Sequence, residues 1–154
     1  MSIRSIGILS QVSIVMSLKQ ILYGSTESSS PAANFGLLVL RVCAGLSLAL
    51  AHGMGKFPPS GKFIGSVGDL GFPAPLLFAW LASLSELLGG FLLALGLFTR
   101  PSAFMIAVTM GVAGFMQHQN DPFATKEKAL LYFVIAVAFL FIGAGKYSID
   151  KAIK

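Results

Sequence analysis

The chain has 154 residues, of which 55% are hydrophobic and 11% are charged. An average soluble domain carries about 25% charged residues, so this composition excludes an ordinary soluble domain and indicates a membrane protein. The formal net charge is +5, but Lys and Arg fall mostly between apolar runs, which argues against a nucleic-acid partner. The single cysteine, Cys43, excludes an intrachain disulfide or a CxxC redox pair.

The first 33 residues differ from the rest of the chain. Their apolar run, residues 6–18, is short for a membrane span, and Leu9, Val12 and Met16 recur at helical spacing. We therefore expect residues 1–33 to form an amphipathic interfacial segment followed by a Ser-rich linker. A signal peptide is the alternative interpretation.

Four apolar stretches follow this segment. A membrane-spanning helix needs about 20 residues, and an apolar stretch of this length in lipid satisfies its backbone hydrogen bonds as a helix. The sequence therefore predicts an all-α integral membrane protein, a four-helix bundle over residues 34–154 with the additional N-terminal segment. The Gly- and Pro-rich residues 58–75 are predicted to form the first connection. The predicted helices cover residues 35–53, 74–98, 102–117 and 129–145.

The basic residues set the expected orientation. Cytoplasmic loops of membrane proteins carry an excess of Lys and Arg. The basic residues form two groups, one on each side of the membrane, and the larger group favours an orientation with both termini in the cytoplasm. This arrangement puts six basic residues inside (Arg4, Lys19, Arg100, Lys146, Lys151, Lys154) and four outside (Lys56, Lys62, Lys126, Lys128).

Two charged residues, Arg41 and Glu86, lie within apolar runs. A charge at the centre of a spanning helix costs about 2.5–3.5 kcal/mol on insertion scales, so each is expected to face the bundle interior and pair. At 1.5 Å per residue, Glu86 lies at a depth between Arg41 and His52. Both are therefore candidate partners of Glu86.

Small and polar residues recur along two predicted helices. Arg41, His52 and Lys56 lie on one stripe of the first helix, and a stripe of small residues on the third helix ends at His118. We predict a polar cluster of His52, Glu86 and His118, with Lys56 and Glu127 at its mouth. Glu86 and His52 are the catalytic candidates, and Arg41, Lys56, His118 and Glu127 are the ligand-binding candidates.

The residues of this predicted polar cluster also have other interpretations. A buried ion pair or a hydrogen-bonded histidine can serve only to hold helices together, and this structural interpretation stays open. Two histidines and a carboxylate could ligate a metal or haem, but no HxxxH or HxxE spacing is present, and we expect neither. The Gly89-Gly90 pair is expected to allow close approach of helices.

A series of short motifs in this chain resembles the DoxX family in type and order over residues 35–150. The motifs are Arg41-Val-Cys-Ala-Gly45, His52-Gly53-Met54-Gly55-Lys56, Gly71-Phe72-Pro73, Glu86-Leu87-Leu88-Gly89-Gly90, Leu95-Gly96-Leu97-Phe98-Thr99-Arg100, Lys126-Glu127-Lys128-Ala129-Leu130 and Gly143-Ala144-Gly145-Lys146-Tyr147-Ser148-Ile149-Asp150.

This resemblance implies a small four-helix membrane protein of the bacterial inner membrane. The family's name reflects a resemblance to the membrane subunit of a thiosulfate to quinone oxidoreductase, and some members are associated with redox-stress complexes. Our first hypothesis is therefore a redox-linked component that interacts with a quinone or another lipophilic molecule, in which Glu86 relays a proton, His52 or His118 forms hydrogen bonds with the carbonyls and Arg41 sets the electrostatics. A redox partner protein or a homo-oligomer is expected, because the chain has no electron carrier of its own.

Two other function classes remain open at this stage. The first is a non-catalytic membrane anchor or assembly factor, in which Arg41 and Glu86 are structural. The second is a small-solute transporter, which would ordinarily need more helices or an oligomer. No P-loop, GxSxG or zinc pattern indicates a soluble catalytic module.

Overall fold

The computed structural model describes residue 24 and residues 30–153, and within these residues the regular structure is entirely helical. Four long helices and two short ones follow one another along residues 30–153. They are α1 (Pro31–Lys56), α2 (Gly61–Asp69), α3 (Pro75–Leu95), α4 (residues 99–117), α5 (Phe123–Ile142) and α6 (Ile149–Ala152).

Helices α1 and α3 are long and apolar enough to cross a membrane, each with a mean hydropathy of 1.8. Helix α4 joins 14 α-helical residues to a five-residue π-helical turn, and α5 has 20 residues. Large apolar side chains such as Phe141, Val134 and Phe104 cover the outer surface. The prediction of an all-α membrane protein is confirmed. The predicted interfacial segment lies outside the described residues, apart from its end.

The four long helices form an antiparallel bundle. Helix α1 packs on α3, α3 on α4, and α4 most extensively on α5. Leu48, Leu93, Ile106, Met110 and Phe139 lie in the core between them. Helices α1 and α4 run from what we call the Arg41 end of the bundle to the Lys56 end, and α3 and α5 run back.

Three helices begin earlier than the apolar pattern predicted, and one of them is α4, which begins at Thr99 instead of residue 102. Helix α1 begins at Pro31, within the predicted linker, because Ser30 Oγ accepts a hydrogen bond from the backbone N–H of Ala33 at 3.4 Å. Helix α5 begins at Phe123, after Pro122, so its polar first turns are helical as well. Hydrophobicity marks the lipid-facing part of a helix, whereas capping residues mark where it begins.

Helix α2 is an element that the sequence analysis assigned to a connection. Ser60 Oγ accepts a hydrogen bond from the backbone N–H of Phe63 at 3.3 Å and so caps the helix. Phe63, Ile64 and Val67 share its apolar face, and Val67 is buried. The Gly- and Pro-rich composition of this region hid a short amphipathic helix that packs against the start of α3.

Three of the long helices contain a π-helical turn: Ala49–Gly53 in α1, Ser85–Gly89 in α3 and Ala113–Gln117 in α4. The turns of α1 and α3 contact each other. Turns of this kind are rare and occur frequently at functional sites, because each fits one additional residue into the helix and redirects the side chains that follow. All three lie in the half of the bundle nearer Lys56.

Glycines bring the backbones of α1 and α3 into direct contact. A Cβ atom on Gly45 would lie 2.5 Å from the carbonyl oxygen of Gly90 and 2.7 Å from the backbone nitrogen of Ala94. A Cβ atom on Gly90 would lie 2.8 Å from the carbonyl oxygen of Gly45. The expectation that Gly90 allows close approach of helices is confirmed, because no side chain fits between these backbones.

Arg41 joins the helices at the end of the bundle opposite Lys56. Its side chain is 2% exposed and donates hydrogen bonds to the carbonyl oxygens of Ala94 at 3.2 Å, Ala144 at 2.6 Å and Tyr147 at 2.7 Å. It therefore ties α1 to the end of α3 and to the chain that follows α5. The guanidinium of Arg41 is occupied by these backbone carbonyls.

Asp150 completes this closure from the chain after α5. Its carboxylate accepts hydrogen bonds from the backbone N–H groups of Phe98 at 2.8 Å and Thr99 at 2.9 Å, at the first turn of α4. A carboxylate at this position stabilises the unpaired N–H groups and the positive end of the helix dipole. The Gly143–Asp150 motif is thus a structural clasp over the Arg41 end.

We predict that Gly45→Ala lowers the free energy of unfolding by about 2–3 kcal/mol, because overpacking here pushes two backbones apart. Thermal and denaturant unfolding in mild detergent measure this loss. The matched control is Gly55→Ala in the same helix, where an added Cβ meets nothing within 4 Å. Equal stability of the two variants would contradict the close contact.

Candidate functional site

Glu86 forms an ion pair with Lys56. Lys56 Nζ lies 2.6 Å from Oε1 and 2.9 Å from Oε2 of Glu86. The Glu86 side chain is 1% exposed, whereas that of Lys56 is 34% exposed. The sequence analysis named Arg41 and His52 as candidate partners of Glu86, and the structure corrects this pairing to Lys56.

The pairing of Glu86 with Lys56 depends on how far α1 and α3 extend. Gly53 of α1 lies against the backbone of Glu86 and Leu87, and Ser83 Oγ donates a hydrogen bond to the carbonyl oxygen of Lys56 at 2.9 Å. Helix α3 therefore begins beyond the end of α1. Glu86 consequently lies nearer the Lys56 end than it would if the two helices ended at the same level. The ammonium of Lys56 reaches it from the last turn of α1.

A cavity of about 450 Å³ lies beside this ion pair, bounded by α2, α3 and α4. Ligand sites commonly enclose about 300–1,000 Å³. Most of the side chains that line it are apolar. These include Phe63, Val67, Leu70, Phe72, Phe78, Leu81, Phe104, Met105, Val108 and Val112.

One side of the cavity meets the outer surface of the bundle. Leu81 of α3 and Phe104 and Val108 of α4 line the cavity and are also exposed. Because α3 is one of the helices long and apolar enough to span a membrane, this side faces the acyl chains. These three side chains therefore belong both to the cavity lining and to the apolar outer surface of the bundle.

Polar groups line the cavity near the ion pair. Lys56 Nζ also lies 5.5 Å from the centroid of the Phe63 ring, which is a cation–π contact with α2. The ion pair is thus in contact with both the bundle and its short covering helix. The other polar residues that line the cavity are Ser66, Ser85, Thr109, Gln117 and His118.

His118 lies at the edge of the cavity, and Asp121 orients it. The distance between Nδ1 of His118 and Oδ2 of Asp121 is 2.7 Å. A carboxylate acceptor requires a proton on Nδ1, so Nε2 of a neutral His118 is left as an acceptor. Both side chains are partly exposed, which allows His118 to exchange protons with water.

The structure separates the other predicted site residues from this cavity. His52 packs edge to face against Tyr132 of α5, with the ring centroids 5.8 Å apart. The π-helical turn of α1 breaks the regular spacing that would have placed His52 and Lys56 on one face. Glu127 is exposed on α5 and does not line the cavity, and Arg41 lies at the opposite end.

Three features of the site were absent from the sequence analysis: Ser85, Asp121 and α2. The spacing of three between His118 and Asp121 is a signal for a local contact that the sequence does offer. Ser60 followed by the apolar residues of α2 is a second such signal. Ser85 gave no signal, because one serine in an apolar helix is an ordinary occurrence.

The cavity lining combines a buried carboxylate, a cation and an oriented histidine with mostly apolar side chains. A carboxylate and an imidazole can both accept and release protons, and an ammonium or imidazole N–H can donate to a carbonyl oxygen. The apolar walls exclude water and strengthen these interactions. The cavity can therefore hold a lipophilic molecule and exchange protons with its polar head.

Comparison with known proteins relates the chain to one family. The DoxX family model matches residues 36–119, which contain Lys56, Glu86 and His118. An uncharacterized protein of Haemophilus influenzae is 37% identical over 125 residues, which cover 75% of this chain and 88% of that protein. No solved structure matches the chain. The matched residues thus include the charged end of the cavity.

We predict that Lys56→Met lowers the free energy of unfolding by about 1–3 kcal/mol, because it leaves the carboxylate of Glu86 buried without a cation. The double variant Lys56→Met/Glu86→Gln should regain part of this loss, with a coupling energy of about 1–2 kcal/mol in the double-mutant cycle. Unfolding of the four proteins in detergent gives these values.

The control is Lys62→Met, which removes an exposed lysine of α2 and should change stability by less than about 0.5 kcal/mol. If Lys56→Met unfolds at the same temperature as Lys62→Met, the ion pair does not stabilise the bundle.

Proposed function

The chain belongs to the DoxX family, and we propose that it is a redox-linked membrane component that binds a quinone in the cavity between α3 and α4. The observation that carries this proposal is the Lys56–Glu86 ion pair in the lining of a mostly apolar cavity. Such a cavity suits a molecule with a polar head and an isoprenoid tail.

The chemistry of the lining supports a quinone head. A quinone ring carries two carbonyl oxygens, and the ammonium of Lys56 can donate a hydrogen bond to one of them, while Nε2 of a neutral His118 can accept one from a hydroxyl group of the quinol. In the reduced quinol these oxygens become hydroxyl groups, and the carboxylate of Glu86 can accept a hydrogen bond from one of them. The rings of Phe63 and Phe104 provide faces and edges on which the quinone ring packs.

Reduction of a quinone to a quinol consumes two electrons and two protons. The sequence contains no motif for an electron carrier, so on this proposal a partner redox protein bearing a flavin, haem or iron–sulfur centre supplies both electrons. This chain holds the quinone and supplies protons, with Glu86 at the buried end and His118 at the partly exposed end. Oxidoreductase activity then belongs to the complex.

We place the protein in the bacterial inner membrane with the Arg41 end and both termini in the cytoplasm. The support for this orientation is the excess of Lys and Arg that the sequence predicts for the cytoplasmic segments, with Arg4 and Lys19 of the N-terminal segment included. The Lys56 end, with His118 and Asp121, then faces the periplasm. Protons exchanged through His118 come from that side.

A binding experiment with a short-tailed ubiquinone, decylubiquinone, tests this proposal. We expect the probe to raise the unfolding temperature of the purified protein in mild detergent. The stabilisation follows the ligand concentration and reaches about 2.7 kcal/mol at one hundred times the dissociation constant. Glu86→Gln should weaken binding about tenfold, because a charge-assisted hydrogen bond is lost.

The matched control is Glu127→Gln, which makes the same chemical change at an exposed position away from the cavity. It should bind decylubiquinone as the wild type does. The proposal fails if decylubiquinone does not bind to the wild type, or if both variants bind it equally well.

A further inference from the structure

One serine in the cavity lining carries a buried hydroxyl group that has no hydrogen-bond partner in the described part of the chain. Ser85 is 1% exposed, and it lies on α3 directly before Glu86. A serine in a helix commonly donates to the carbonyl oxygen one turn earlier, and Ser85 does not. A buried hydroxyl without a partner costs about 1–3 kcal/mol of stability.

Ser83, two residues earlier on the same helix, shows the ordinary arrangement. Its hydroxyl is 0% exposed and lies 2.9 Å from the carbonyl oxygens of both Ala79 and Lys56. The helix can therefore satisfy a buried serine at this depth. Ser85 belongs to the π-helical turn Ser85–Gly89 and is one of the residues that line the cavity, and its hydroxyl has no such partner among the described residues.

We propose that Ser85 is a specificity-determining residue whose hydroxyl donates a hydrogen bond to a carbonyl oxygen on the head of the ligand. The ligand class is a lipophilic ketone or quinone whose tail leaves between α3 and α4. This inference rests on the cavity proposed above as the ligand site, but it does not require the ligand to be a quinone.

The groups next to Ser85 indicate that its hydroxyl acts as a hydrogen-bond donor. An ionised Glu86 only accepts hydrogen bonds, so a hydroxyl on the ligand pairs preferentially with that carboxylate. The ammonium of Lys56 already faces both carboxylate oxygens. Ser85 is thus the uncommitted O–H donor on this wall, and a carbonyl oxygen is its complement.

The exposed part of the cavity lining indicates the direction in which the ligand would lie. The exposed lining residues Leu81, Phe104 and Val108 lie on the side that faces the acyl chains. An apolar tail on that side remains in lipid while the head reaches Ser85 and Glu86. The ligand then enters from the bilayer and not from the aqueous phase.

The test compares Ser85→Ala with Ser83→Ala in the full-length protein, with decylubiquinone and the isoprenoid ketone geranylacetone as probes. A branched alkane of similar size is the control for apolar binding. Without added ligand, Ser85→Ala should unfold at or above the wild-type temperature, whereas Ser83→Ala should unfold below it. Ser85→Ala should bind both carbonyl probes about 2- to 10-fold more weakly and bind the alkane as the wild type does.

The outcomes separate this inference from the proposed function. If decylubiquinone fails to bind to the wild type but geranylacetone binds with the predicted loss in Ser85→Ala, the role of Ser85 is supported and the quinone is ruled out. If the wild type and Ser85→Ala bind both carbonyl probes equally, the role of Ser85 is overturned and quinone binding stands. If neither carbonyl probe binds to the wild type, both are overturned.

Discussion

A carboxylate that is 1% exposed inside a helical membrane protein requires a cation beside it, and Lys56 provides that cation for Glu86. The other features of this half of the bundle follow from the pairing. Ser83 fixes the end of α1 that carries Lys56, Phe63 of α2 packs against the ammonium, and π-helical turns redirect the helices around Glu86. The ion pair thereby contributes the two opposite charges of the cavity lining.

The polar groups at one end of the bundle hold the helices together, and we propose that those at the other end bind a ligand. At the Arg41 end, Arg41 and Asp150 are occupied by backbone groups and join the helix ends. At the Lys56 end, the polar groups line a cavity and include a hydroxyl without a partner among the described residues. A structural role therefore accounts for Arg41, whereas the groups around Glu86 are available to a ligand.

Hydrophobicity alone was sufficient to predict the helical membrane architecture, and the cost of buried charge was sufficient to predict that Arg41 and Glu86 face inward. The partner of Glu86 was not predictable in this way. Its identity depends on the extent of α3 beyond α1 and on the π-helical turn next to His52, neither of which regular helical spacing encodes. The capping signals at Ser30 and Ser60 were present in the sequence, but composition outweighed them.

Photolabelling tests the central claim, that the charged cavity binds a lipophile, most directly. A short-tailed azidoquinone would be photolysed with the wild-type protein in lipid, and the labelled residues identified by mass spectrometry. We predict labels on Phe63, Phe72 and Phe78, which line the cavity, and their loss when decylubiquinone competes. Labels confined to Phe115, Met116 and Phe133, which line the apolar groove between α4 and α5, would contradict the account.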